Sequence, residues 1–208
     1  MGEDMQQGKK KLIEEIRSTR KRIRGKVKER MDELRNNKDW FSELCFCILT
    51  ANYTAEGGVK IQNAVNDFSK LPLKQIQGKL RTYGHRFPNA RANYILVARK
   101  HKGKLNALCE MKNSNERREW LVANVKGLGY KEASHFLRNI GFFDVAIIDR
   151  HILNVLEEYG IIKKPKTMAR KRYLEIEGTL REIASELRVS LGELDFYMWY
   201  MKTGKVLK

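Results

Sequence analysis

The chain of 208 residues is long enough to bury a sizeable core, as one domain or as two small intimate lobes. Its formal charge of +17 and isoelectric point near 9.8 point to a polyanionic partner, nucleic acid first, while 42% hydrophobic residues exclude a disordered basic tail. Charge alone does not separate an enzyme from a packaging protein. No signal segment or apolar stretch of membrane-spanning length is present, so no membrane contact and a reducing cytoplasm are expected.

The first predicted helix covers 10–36. Ile13, Ile16, Ile23, Val27, Met31 and Leu34 mark one face, lysines and arginines cover the rest, and Gly25 is a candidate bend. Its cationic side is either a solvated face or a direct contact to a polyanion. Asp39 then caps a helix through Trp40, Phe41, Leu44, Phe46, Ile48 and Leu49, apolar on nearly every side and therefore central to a lobe. Cys45 and Cys47 in this run read as small buried hydrophobes, and with Cys109 they cannot furnish four thiolate ligands. The helix ends near Asn52, which reads as a loop or cap residue. Further helices are predicted over 59–68, 73–83 and 89–102. Pro88 suits the first turn of the last one, Ala92, Ile95, Leu96 and Ala98 look inward, and Phe87 is left on the preceding loop.

Trp120, Leu121 and Val125 lead through a helix into the stretch VKGLGYKEASHFLRNIGFFDVAIIDRHILNVL, residues 125–156. Gly127 and Gly129 mark a turn between two helices, because glycine enters positive φ without steric cost and lets another backbone approach closely. The second helix begins near Tyr130, with Ala133, Phe136, Leu137 and Ile140 inward, and this puts Lys131 at its start and His135 one turn later. Freed amides at such a turn receive phosphate. After a short apolar connection, 145–148, Asp149 opens a third helix carrying Ile152, Leu153, Leu156 and Tyr159. His151 either contacts a phosphate or satisfies a buried hydrogen bond. Taken singly, the glycines are a turn, Lys131 a solvated lysine and Asp149 a plain cap. Beyond a basic link at 163–166, a helix runs to about Arg188. Ser190 and Glu193 then form the capping box of a last helix crowded with Phe196, Tyr197, Met198, Trp199, Tyr200 and Met201. That is more aromatic surface than one core face needs, as stacking on an extruded base would require.

The combination G-L-G-Y-K followed at fixed distance by I-D-R-H-I resembles the helix-hairpin-helix signature of the DNA glycosylase superfamily, which includes endonuclease III and the 8-oxoguanine glycosylases. The R-F-P-N run at 86–89 and the ending T-G-K-V-L-K resemble the second, archaeal-type 8-oxoguanine DNA glycosylase/AP lyase family, and the likeness covers nearly the whole chain. The resemblance implies an all-α, two-lobed helical fold with the active site in the cleft between lobes: 1–38 plus 127–208 as one lobe and 39–126 as the other. It implies Lys131 as nucleophile and Asp149 as its catalytic carboxylate. Lys208, Trp199, Phe87 and His135 become base-recognition residues, and Gly127, Gly129, Asn52 and His151 DNA contacts, Asn52 entering the stack vacated by the damaged nucleotide. Gly57 stands where animal-type enzymes carry an arginine that reads the opposite base, which implies weak discrimination there. The iron–sulfur cluster of endonuclease III is not expected, since no cysteine follows Cys109.

These residues support excision of 8-oxoguanine from double-stranded DNA through a sugar cation, stabilised by the ionised carboxylate, and amine attack at C1′. The resulting Schiff base permits strand cleavage. The positive end of a helix and desolvation favour the neutral amine that attack requires. No cofactor or metal is expected; the protein is expected to act as a monomer, without a protein partner, on the nucleoid of a prokaryotic cytoplasm. A glycosylase of different lesion choice and a non-catalytic helix-hairpin-helix DNA-binding protein are the competing readings.

Overall fold

Nearly every apolar periodicity in the sequence becomes a helix. The computed structural model describes residues 2–65 and 67–208; Met1 and Asn66 lie outside the described residues. Among the described residues the chain is all-α and forms two compact units, 1–35 with 141–208, and 36–140.

In the first unit, α1 (Gly2–Arg35) packs on α9 (Arg170–Leu187) and α10 (Leu191–Thr203), and α10 also meets α8 (Arg150–Glu158). The α1 stripe is buried at Ile13, Ile16, Ile23, Val27 and Leu34, each at most 4% exposed, while Met31 is only half-buried. The helix runs unbroken through Gly25, although a glycine in mid-helix is unfavourable; packing of the whole stripe outweighs one weak position. Ser190 caps α10 by accepting the Glu193 amide at 3.1 Å. Glu193 does not complete the reciprocal box: its carboxylate takes the Tyr197 hydroxyl at 2.8 Å. Phe196, Tyr197 and Met198 are core, while Trp199, Tyr200 and Met201 are half-buried.

The second unit is built on α2 (Trp40–Thr50), capped by Asp39 and buried on nearly all sides. Around it lie α3 (Ala55–Ala64), α5 (Pro88–Ala98), a 3-10 segment (Arg99–Glu110) and α7 (Tyr130–Asn139); α4 (Leu73–Thr82) packs on α5, and α6 (Ser114–Asn124) on α7. Cys45 and Cys47 are buried and Cys109 is exposed. Glu43 is the one acid inside the α2 run, and its 2% exposure is offset by the Asn139 amide at 2.7 Å and the Asn37 amide at 3.3 Å. α3 begins and ends earlier than the expected 59–68, because Thr54 accepts the Gly57 amide and starts the helix there. The expected helix over 89–102 ends at Ala98, and Leu96 is 38% exposed, since the buried positions Ala92, Ile95 and Ala98 leave Leu96 round the far side. The expected lobe boundary at 126/127 also shifts. α7 belongs to the 36–140 unit because its inner face packs on α2 and α6.

Candidate active site

The hairpin is fastened from below. Arg118 of α6 is 1% exposed, donates to the Ser134 hydroxyl at 3.2 Å and to the Asn115 side chain at 2.8 Å, and lies over the Tyr130 ring. A buried guanidinium bonded to both arms holds α6 and α7 together at the turn. Gly127 is at φ +92, and a Cβ there would stand 2.4 Å from the Tyr94 ring, so any side chain at this position is strained and crowded. Gly129 differs from expectation: at φ −95 it is extended, and it serves as N-cap of α7.

Lys131 stands in the first turn of α7, its side chain 28% exposed and its Nζ 3.6 Å from Glu132 Oε1. Glu132, unremarked in the sequence, accepts the Gly129 amide at 3.3 Å and thereby covers one of the α7 N-terminal donors. His135 is 7% exposed, edge-on to Phe46 with ring centroids 5.6 Å apart.

The same unit carries Asn52 and Phe87. Asn52 is exposed just past α2 with φ +60, a left-handed conformation that asparagine tolerates better than most residues. Arg91 donates to the Ala51 carbonyl at 3.0 Å and lies 3.2 Å from the Cβ position of Gly127, so one buried guanidinium touches both the Asn52 turn and the hairpin. Phe87 is 39% exposed. Its amide donates to His85 Nδ1 at 3.0 Å, while His85 Nε2 lies 2.9 Å from the Leu49 carbonyl. That pairing requires the neutral ring with its proton on Nε2. Burial pushes the His85 pKa below the usual histidine value, and the nearby Arg91 charge acts the same way. Gly57 faces the Tyr53 ring, 2.4 Å from its Cβ position, so the aromatic fills the space a longer side chain would occupy.

In the other unit, Asp149 caps α8, its Oδ1 accepting the Ile152 amide at 2.9 Å. Among the described residues its second oxygen has no protein hydrogen-bond partner. The extended segment before it is buried, and α9 supplies its missing partners. Glu177 accepts the Ala146 amide at 3.1 Å; the Tyr173 hydroxyl donates to the Ala146 carbonyl at 2.7 Å and accepts the Ile148 amide at 3.3 Å. These side chains, one helical turn apart and at most 4% exposed, fix the approach to the cap. Neither role was read from the sequence, where the available signal was Glu177, an acid on the inward face of a helix. Trp199 meets His151 edge-on at 4.7 Å, and its buried Nε1 has no hydrogen-bond partner among the described residues. Lys208 is half-buried. No three His, Cys, Asp or Glu side chains gather as a metal site among the described residues.

A family model described as 8-oxoguanine DNA glycosylase matches residues 9–189. The chain is 50% identical over 205 residues to the 8-oxoguanine DNA glycosylase/AP lyase of Methanocaldococcus jannaschii, covering 95% of this chain and 98% of that one. It is 50% identical over 193 residues to the protein of the same name from Korarchaeum cryptofilum, covering 90% and 92%. The crystal structure of the Methanocaldococcus jannaschii 8-oxoguanine glycosylase/lyase in complex with 15mer DNA containing 8-oxoguanine superposes with a TM-score of 0.91, at 50% identity, over 95% of this chain and 99% of that one. The turn carrying Lys131, the capped Asp149 and these likenesses agree, and the chain belongs to the 8-oxoguanine DNA glycosylase family.

Proposed function

We propose that the protein extrudes 8-oxoguanine from duplex DNA, excises it, and cleaves the strand at the resulting abasic site. The observation that carries this reading is the pairing of family membership with a lysine and an aspartate at the starts of successive helices α7 and α8. Lys131 Nζ attacks C1′, the C1′–N9 bond breaks, and the base departs with its electron pair and takes up a proton. The unpaired oxygen of Asp149 stabilises the positive charge that develops on the sugar. Ring opening leaves a Schiff base on Lys131. It acidifies a C2′ proton, whose loss expels the 3′ phosphate by β-elimination. Trp199 and Phe87 offer planar faces to the extruded base, and the partnerless Trp199 N–H supports a role as donor to it, because a buried donor is costly until something accepts it. Asn52 fills the vacated stack. The work is done on chromosomal DNA in a prokaryotic cytoplasm; among the described residues no helix is long and apolar enough to cross a membrane.

Borohydride trapping tests the assignment. Lys131→Gln is expected to abolish the covalent adduct with an 8-oxoguanine duplex while retaining DNA binding. An adduct that survives the substitution overturns the role of Lys131.

A further inference from the structure

The catalytic reading leaves the outer surface of α1 unused. From Glu15 to Glu29 the helix has no intervening acid. Arg17, Lys21, Arg24 and Lys28 recur at intervals of four, three and four, so they share one stripe, and all four are exposed. Arg17 lies 3.7 Å from Glu186. Lys21, Arg24 and Lys28 have no acidic partner within ion-pair distance among the described residues. Elsewhere on the same helix Lys9 pairs with Glu182, Arg30 with Glu33 and Arg35 with Asp32, while Lys10, Lys11, Arg22 and Lys26 are, like the stripe, exposed and without an ion pair among the described residues. A merely solvated helix face interleaves signs, since like charges at these spacings repel and weaken the helix. The opposite face of α1 is occupied by the core, so no apolar side is left to enter a lipid surface. The twelve residues from Arg17 to Lys28 span about 16 Å of helix, and over that length a duplex carries about one charge per 1.7 Å counting both strands, so four cations there face more phosphates than they can neutralise.

We propose that this stripe of α1 is a phosphate-binding face for duplex DNA, independent of the base sequence, which adds to the hold of the protein on DNA. The proposal rests on the DNA-repair reading above. Its test is the salt dependence of binding to a lesion-free duplex, measured for the full chain and for a variant combining Lys21→Gln, Arg24→Gln and Lys28→Gln. A control variant, Lys74→Gln with Lys104→Gln and Lys112→Gln, removes the same charge from other exposed positions. Glutamine forms helix nearly as well as lysine, and a thermal midpoint checks that each variant is folded. The α1 variant is expected to lower the slope of log K against log salt by about two to three, at about 0.9 per phosphate, and to weaken binding at low salt by about tenfold or more. The control is expected to keep most of the slope. An unchanged slope in the α1 variant, or an equal loss in the control, overturns the proposal. Excision of 8-oxoguanine by the unsubstituted chain is assayed separately, so failure of the functional reading is told apart from failure of this one.

Discussion

Asp149 has two oxygens and, under the proposed function, two duties. One holds the start of α8 by accepting the Ile152 amide at 2.9 Å; the other is the one proposed to stabilise the sugar cation. The two duties separate by substitution. Asn is as good an N-cap as Asp, so Asp149→Asn is expected to unfold within a few tenths of a kcal/mol of the parent, while Ala costs about 1 kcal/mol in helix capping. Both lose the ionised oxygen, and single-turnover excision is expected to fall by about a hundred- to a thousandfold in each, the size found when one preorganised charge-stabilising group is removed. Equal excision by Asp149→Asn and the parent would assign the residue to capping alone.

Among the elements, the turn between α6 and α7 shows how two glycines close in sequence carry different burdens. Gly127 is left-handed and pressed against Tyr94, whereas Gly129 is extended and its Cβ position meets only Glu132 Oε2 at 3.3 Å. Gly127→Ala is expected to cost about 2–3 kcal/mol, from a disfavoured φ together with overpacking, and Gly129→Ala to cost clearly less. Chemical denaturation of both variants checks the order, and a reversal would mean that the Glu132 contact governs the turn. Because Lys131 follows within the first turn of α7, adduct formation is expected to track the Gly127 loss.

Over the whole molecule, acid sensitivity follows from two buried histidines. Burial lowers the pKa of His85 and of His101 below the usual histidine value near 6.5. The unfolded chain therefore takes up protons more readily than the folded one as pH drops through that value. Stability is fully present above about pH 6.5 and is lost below it, down to the depressed folded values. Repulsion within a chain of charge +17 acts in the same direction. Thermal unfolding midpoints are expected to fall between pH 7 and pH 5, and less steeply for His85→Gln, which keeps a donor and an acceptor for Leu49 and Phe87 without titrating. A flat profile in the parent would show that neither ring is held neutral.

The sequence by itself determined the helical class and the family. Helical periodicity is local, and the spacing from the glycines through Lys131 to Asp149 survives as a string. It also located the capping residues Asp39, Asp149 and Ser190, since a cap bonds an amide only three positions on, though not Thr54 of α3 or Asn113 of α6. Tertiary structure alone decided which groups steady these parts. The Tyr173 hydroxyl reaches Ile148, 25 positions away; Arg91 reaches Ala51, 40 away; Asn139 reaches Glu43, 96 away. No local pattern encodes such partners, because they meet only when separate helices pack. The same cause moved α7 to the 36–140 unit and turned Leu96 outward: periodicity tells which residues share a face, and only the neighbouring helices decide which faces are covered.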